Sequence, residues 1–170
     1  MISTSAFEFR RHRASARTRD DGRFLEVLMT SVQSVLRAKT RPVYAVPPHA
    51  SVFDALAVMA HHDIGAVIVL DGDALCGVFS ERDYAHKVVL FGRSSRDLAV
   101  ADVMTRDVYT VTPHCTIDDC MAIMTDHHVR HLPVLDASGV AGIISIGDVV
   151  KAQLDEQRFR IEQLEHYIAS

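Results

Sequence analysis

The sequence predicts an α/β (α+β) protein built from two pseudo-symmetric β-α-β-β-α units packed together, with a long C-terminal helix. Three observations carry that expectation. The chain matches itself without a gap when shifted by 65 residues. Within each copy, apolar residues at helical spacing alternate with short strand-forming runs. The last helical pattern runs well past the point where its counterpart in the first copy stops.

The repeat is read directly from the residues. Pro48-His49 falls on Pro113-His114, Asp54 on Asp119 and Met59 on Met124. Val69-Leu70-Asp71 falls on Val134-Leu135-Asp136, Gly77 on Gly142, Ser80 on Ser145 and Asp83 on Asp148. Between Pro48 and Tyr84, 12 of 37 positions are identical. Two copies make a pseudo-symmetric pair rather than a solenoid, which needs more units.

Each copy opens with a short extended segment (Val43–Val46; Val108–Val111) and a proline turn. Ser51 and Thr116 are placed as N-caps, with Asp54 and Asp119 at capping-box spacing. The following helices carry Val52, Ala55, Leu56 and Met59, matched by Ile117, Cys120, Met121 and Met124. That i, i+3, i+4, i+7 spacing is one apolar helix face. A buried strand follows (Ala66–Leu70; His131–Leu135), then an Asp/Gly turn. A second strand (Leu75–Phe79; Val140–Ile144) ends at Ser80 or Ser145, where another helix starts. The last helix is expected from Ile146 to about Ile168. Val150, Leu154, Gln157, Ile161, Leu164 and Ile168 form a heptad-like seam with one polar break. Self-association reads that seam slightly better than a tail helix covering its own domain. One such unit buries little core alone, so the two are expected to pack together.

Composition bounds the rest. The chain has 170 residues, 48% apolar and 6% aromatic, without Trp, so its core is aliphatic. Net charge is −4, which argues against a nucleic-acid coat. No apolar run approaches the ~20 residues of a membrane span. Cys76, Cys115 and Cys120 form no C-x-x-C, which argues against a disulfide framework and a zinc ribbon and favours a reducing, cytoplasmic setting. Residues 1–28 differ: six arginines, four acids and no lasting apolar periodicity. They read as a disordered, solvated tail, with a transit peptide or nucleic-acid arm as the weaker readings. The expected organisation is this tail, a first unit at 29–98, a second at 99–150 and a helix extension at 151–170.

The unit endings are the chemically sharpest feature: Gly77-Val-Phe-Ser80-Glu-Arg-Asp83 and Gly142-Ile-Ile-Ser145-Ile-Gly-Asp148. A strand that runs straight into a helix presents unpaired N–H groups suited to phosphate. A Ser hydroxyl there can donate to phosphate, and an Asp one turn on can accept from two vicinal hydroxyls of a ribose. Ser-x-x-Asp is also a plain capping box. The repeat at matching positions, with the same upstream glycine, favours a site.

These endings, together with Val103-Met104-Thr105-Arg106-Asp107 and Arg130-His131-Leu132-Pro133-Val134, resemble a tandem pair of CBS domains, a Bateman module, of the small stand-alone bacterial type. The resemblance covers about residues 36–168. It implies a non-enzymatic regulatory module that binds adenine nucleotides (AMP, ADP, ATP, NAD(H)) or S-adenosylmethionine in two clefts between the units. It implies that Asp83 and Asp148 hold ribose hydroxyls, that Ser80 and Ser145 reach phosphate, and that backbone at Tyr44–Ala45 and Thr110–Val111 reads adenine. Arg130 and His131 match phosphate-facing positions, and Lys39, Arg82 and Lys151 are further cationic candidates. Gly65-Ala66 stands where the second copy has Arg130-His131, so the clefts are expected to be unequal. With no effector domain visible in the sequence, output is expected through a partner protein or a homodimer or higher homo-oligomer.

The rivals are weaker. His127 and His131 have a zinc-binding spacing, but the Glu of H-E-x-x-H is missing and His131 is expected in a strand. Cys76 and Cys120 read as small core hydrophobes. No nucleophile elbow or Walker loop is present. The rival from another class is a ligand-free interaction or dimerisation module.

Overall fold

The computed structural model describes residues 30–39 and 41–169, so the expectation for residues 1–28 lies outside the described residues. The elements run α1 (Val32–Ala38), β1 (Ala45–Val46), α2 (Val52–His62), β2 (Ala66–Asp71), β3 (Ala74–Ser80) and α3 (Glu81–Tyr84). α3 continues into a π-helical turn, Ala85–Val89. A 3-10 turn (Val100–Asp102) precedes α4 (Ile117–Asp126), β4 (His131–Asp136), β5 (Gly139–Ser145) and α5 (Ile146–Ala169). This is the mixed α/β architecture the repeat predicts.

The two copies fold alike down to their irregularities. β2 pairs antiparallel with β3, and β4 with β5. Each ladder slips once, at Val69/Leu70 and at Val134/Leu135, which are 65 residues apart. Asp63 and His128, also equivalent, both take left-handed backbone after their helices (φ 52 and 53). The expected leading strands are shorter than predicted. β1 has two residues, parallel to β2, and its counterpart is a single bridge between Val111 and Val134. Proline turns follow closely in both copies and leave little backbone free to extend a ladder.

Ser51 and Thr116 cap α2 and α4, each side chain accepting the N–H three residues on. Their apolar faces close two cores. The first gathers Val52, Ala55, Met59, Val67, Val69 and Phe79. The second gathers Ile117, Cys120, Met124, Leu132, Val134 and Ile144. Burial of such aliphatic side chains contributes about 1.5–3 kcal/mol each, which favours pairing two small units.

The units exchange their leaders, an arrangement the repeat did not disclose. Val32 of α1 is buried in the second core, although its chain goes on to build the first unit. Val100, Val103 and Met104 are buried in the first core and lead into the second. The hydrogen bonds match: Val32 and Gln33 N–H donate to the Cys115 and Pro113 carbonyls, and Val100 and Ala101 N–H donate to those of Ala50 and Pro48. This exchange sets each leader against the other unit's last strand, where the site lies.

Candidate functional site

β3 delivers Ser80 to the start of α3. Its hydroxyl donates to Asp83 Oδ2 at 2.6 Å and accepts the Asp83 N–H, while the Ser80 N–H donates to the same carboxylate at 3.0 Å. Ser145 and Asp148 repeat this arrangement at the start of α5. So do Thr116 and Asp119, away from either Ser-x-x-Asp ending. The capping-box reading therefore holds for both endings. Two of the three first N–H groups of each helix are already engaged. Glu81 N–H donates to the Gly65 carbonyl and Ile146 N–H to that of Arg130, while Asp83 and Asp148 N–H go to the capping hydroxyls. The Arg82 and Gly147 N–H groups, second in each helix, and the side chains around them are left to hold an anion.

What separates Asp83 from a simple cap is its second oxygen. Asp83 Oδ1 accepts from the Thr105 hydroxyl at 2.9 Å and lies 2.6 Å from Lys87 Nζ. Thr105 belongs to the exchanged leader and Lys87 to the turn after α3. Lys87 also donates to the Val103 carbonyl at 2.9 Å. Burial pushes the Asp83 carboxyl up, but the bonds from Lys87, Ser80 and Thr105 outweigh it and hold the group below the ordinary carboxylate value. The carboxylate is thus charged and preorganised at neutral pH.

This carboxylate lines a cavity of about 360 Å³ between the units. The first unit supplies Ser80, Arg82, Asp83 and Lys87, and the second supplies Tyr109, Arg130 and His131. Arg82 crosses the gap, donating to the His128 carbonyl at 3.1 Å. The cavity is therefore lined by acids at Glu81, Asp83 and Asp107 and by cations at Arg82, Lys87 and Arg130, and both units are needed to form it. Sequence reasoning missed Lys87, Thr105 and Tyr109. Lys87 stands one turn after Asp83 on a helix, a spacing that signals an ion pair.

The second ending is built differently. Asp148 is paired with Lys39, the C-cap of α1, with Nζ 2.5 Å from Oδ2. Lys39 also donates to the Ile143 carbonyl at 2.9 Å. Burial raises the Asp148 carboxyl, and Lys39 and Ser145 more than reverse that. Asp148, Ser145 and Lys39 do not line the Asp83 cavity, and Lys151 faces a separate surface groove along α5.

His131 sits between the endings. Its ring lies against Gly65, about where an added Cβ would be 3.6 Å away. Burial pushes its pKa down; Asp148 raises it, Lys39 and Arg130 lower it, and Asp83 raises it, for a net lowering. Gly65 therefore packs on His131 at ordinary contact distance, and a Cβ there would still fit.

The four backbone positions expected to read adenine are also placed. Val111 spends its N–H on Pro133 and its carbonyl on Leu135, and the Tyr44 carbonyl accepts from Ile68. Ala45 is exposed and Thr110 partly buried. Tyr44 stacks on His62 at 3.8 Å and Tyr109 on His127 at 3.9 Å, a matched pair of aromatic walls. Among the described residues no cluster of His, Cys, Asp or Glu is arranged to hold a metal.

A duplicated β-α-β-β-α pair with exchanged leaders and a charged inter-unit cavity defines a two-unit module with room for a small ligand. The chain belongs to the CBS-domain family as a tandem pair: the family model, CBS domain, matches residues 32–89 and 100–155. A CBS-domain protein of known structure from Burkholderia ambifaria MC40-6 is 47% identical, with a TM-score of 0.72, covering 75% of this chain and 96% of that one. The mitochondrial CBS domain-containing protein CBSX3 of Arabidopsis thaliana is 41% identical over 69% of this chain, but only 60% of the plant protein's length is spanned. The CBS pair of protein MJ0100, solved with methylthioadenosine and S-adenosyl-L-methionine, shares the fold with a TM-score of 0.64 at 22% identity.

Proposed function

We propose that this CBS pair is a non-enzymatic sensor of an adenine nucleotide, with the Asp83 cavity as its principal site. One observation carries the reading: the preorganised Asp83 carboxylate of the first unit and the Arg130 guanidinium of the second face one cavity, with Arg82 reaching across it. Asp83 would accept the two ribose hydroxyls in competition with Thr105 and Lys87 on one oxygen and Ser80 on the other. Arg82, Arg130 and His131 would meet phosphate, joined by Ser80 once its hydroxyl turns from Asp83. Thr110 rather than Val111 would offer backbone to adenine, with Tyr109 as a wall. The Tyr44–Ala45 backbone, Ser145 and Asp148 would serve the second cleft. Lys151 is left without a role at the first. The cavity volume of about 360 Å³ suits one mononucleotide better than a dinucleotide. The adenosyl ligands of MJ0100 support the ligand class. AMP, ADP, ATP, NAD(H) and S-adenosylmethionine are the candidates to separate.

A thermal-shift panel of those ligands tests the proposal. A ligand at a hundred times its dissociation constant adds about 2.7 kcal/mol of stability. AMP is expected to give the largest shift at equal concentration, and no shift from any of them at millimolar concentration rejects the sensor.

A second reading, self-association that passes the signal to an effector protein, is favoured by α5. Val150, Leu154, Ile161, Leu164 and Ile168 of the predicted seam are all exposed on the single chain. Among the described residues no helix is long and apolar enough to cross a membrane. Three free thiols fit a reducing compartment such as the cytoplasm.

A further inference from the structure

The two units carry different chemistry at the turn before their main helices. In the second unit Cys115 precedes the Thr116 cap of α4, and Cys120 is the fourth residue of that helix. Side chains at these two positions of a capped helix pack on each other, the contact called a hydrophobic staple. The positions 65 residues earlier are Ala50 and Ala55, around the Ser51 cap of α2. The turns are otherwise alike. Ala50 N–H donates to the Pro47 carbonyl at 3.0 Å, and Cys115 N–H to that of Thr112 at 3.1 Å. Ala50 packs against the core that holds Ala55, and Cys115 against the core that holds Cys120. A pair of methyl groups in one unit is thus a pair of thiols in the other.

The two thiols are unequal. Cys120 is fully buried, and burial, then the neighbouring Cys115 and Asp119, push its pKa up to about 12. Cys115 is partly exposed. Its sulfur meets the Thr112 N–H at 3.4 Å and the Thr112 hydroxyl at 3.5 Å, long contacts that let the side chain turn toward Cys120. Cys76 stands apart, in β3 of the first unit. The Cys115 turn is also the seat of the exchanged leader. Its carbonyl accepts the Val32 N–H, the Pro113 carbonyl accepts that of Gln33, and Ile117 N–H donates to the Thr30 carbonyl.

We propose that Cys115 and Cys120 are a site of reversible oxidation, closing a disulfide across the start of α4 and stiffening the seat of the leader. The oxidant is hydrogen peroxide. The Cys115 thiolate attacks one peroxide oxygen, the O–O bond breaks, and hydroxide leaves and takes up the Cys115 proton as water. Cys115 is then a sulfenic acid. The Cys120 sulfur attacks the Cys115 sulfur, the S–O bond breaks, and the hydroxyl leaves with the Cys120 proton as a second water. Two thiols are oxidised and one peroxide is reduced to two waters. A dithiol restores both thiols by exchange. None of this depends on the nucleotide reading.

Peptide mapping of the full chain after peroxide tests this. Trypsin releases both cysteines in one peptide, residues 107–130, and Cys76 in another. The reduced, folded protein is treated with hydrogen peroxide, unfolded, alkylated and digested. The 107–130 peptide should take up no alkyl group until a dithiol is added, and two afterwards, while Cys76 alkylates throughout. In Cys115→Ser, Cys120 should alkylate without the dithiol. Amide exchange at Val32, which bonds the Cys115 carbonyl, should be slower in the oxidised chain than in the reduced one. Two alkyl groups on the peptide before reduction overturn the site. So does a bridge to Cys76 or to a second chain, and so does a peptide that no dithiol returns to two thiols. An oxidised chain whose Val32 amide exchanges as before overturns the link to the leader.

Discussion

Gly77 runs so close beneath Thr105 that a Cβ on the glycine would stand 2.7 Å from the threonine's carbonyl oxygen. The same strand position in the second unit, Gly142, would meet the methyl groups of Leu36 at 2.6 Å. Both glycines mark where an exchanged leader crosses the other unit's last strand. The obstacles differ: a backbone carbonyl hydrogen-bonded to Val78 cannot move, whereas a leucine side chain can turn. Gly77→Ala is therefore expected to cost about 1–3 kcal/mol, the usual penalty of overpacking, and Gly142→Ala clearly less. Urea unfolding of the two variants checks the order. Equal losses would mean that Leu36 is as fixed as the Thr105 backbone.

Asp119 offers an internal control for Asp83, because both close a capping box with the same geometry. Alanine at Asp119 should lower stability on the order of 1 kcal/mol, the value of the cap, and alanine at Asp83 by more, because the Thr105 and Lys87 bonds go with it. Only Asp83→Ala should also weaken AMP, by at least about tenfold, since two charge-assisted bonds to ribose are lost. A 2′-deoxy ligand should lose part of that energy against the unsubstituted chain and little more against the variant. If both variants bind AMP as the unsubstituted chain does, Asp83 is a cap and nothing else.

The groups between the clefts predict two steps in stability against pH. Burial holds His131 below its ordinary value of 6.5, so the unfolded chain takes up this proton first. Its contribution is complete above 6.5 and is lost as pH falls through that value toward the folded one. Asp83 and Asp148 lie below their ordinary value of 3.8, so their contribution is present above that value and is lost on further acidification. His131→Asn should remove the first step and leave the second. A phosphate seated beside the imidazole favours its charged form, so saturating AMP should flatten the first step as well. A urea-midpoint series from about pH 8 down to about pH 2 reads both. A first step that survives His131→Asn would place the titrating group elsewhere.

The repeat made most of the fold legible, because equivalent residues repeat at a constant offset through both strands and the intervening helix. Ser51 and Thr116 announced their caps, and the Asp/Gly turns their hairpins. The leader exchange was hidden for a physical reason. Val32 and Val100 are buried by residues far along the chain, and no local period records which unit receives them. α1 is short, so its Ser31 cap and its Val32, Val35 and Leu36 face were the only local signals. The site was legible in its acids and less so in its cations. Ser-x-x-Asp fixes where a carboxylate sits, but whether Lys39 or Lys87 answers it depends on long flexible side chains and on the exchange. Lys39 entered the sequence reading as a phosphate candidate and stands in the structure as the partner of Asp148.

The last expectation concerns α5. Val149 is buried against the second core, while Val150, one residue on, is 49% exposed, so the helix turns a second apolar face to solvent from its first turn. That face continues through Leu154, Ile161 and Leu164, with Gln157 between them at the polar break. Burying a leucine fully contributes about 1.5–3 kcal/mol, so four such positions in each of two chains can offset a substantial association cost. The protein is expected to sediment as a dimer or larger at tens of micromolar. Leu154→Glu and Leu164→Glu together should shift it to monomer, because opposed carboxylates would be buried unpaired. Since both leucines are more than half exposed on the single chain, circular dichroism of the double variant should keep its helix and sheet content. Loss of fold would show that the seam supports its own domain. A native chain that sediments as a monomer would show that α5 presents this face to some other protein or to none.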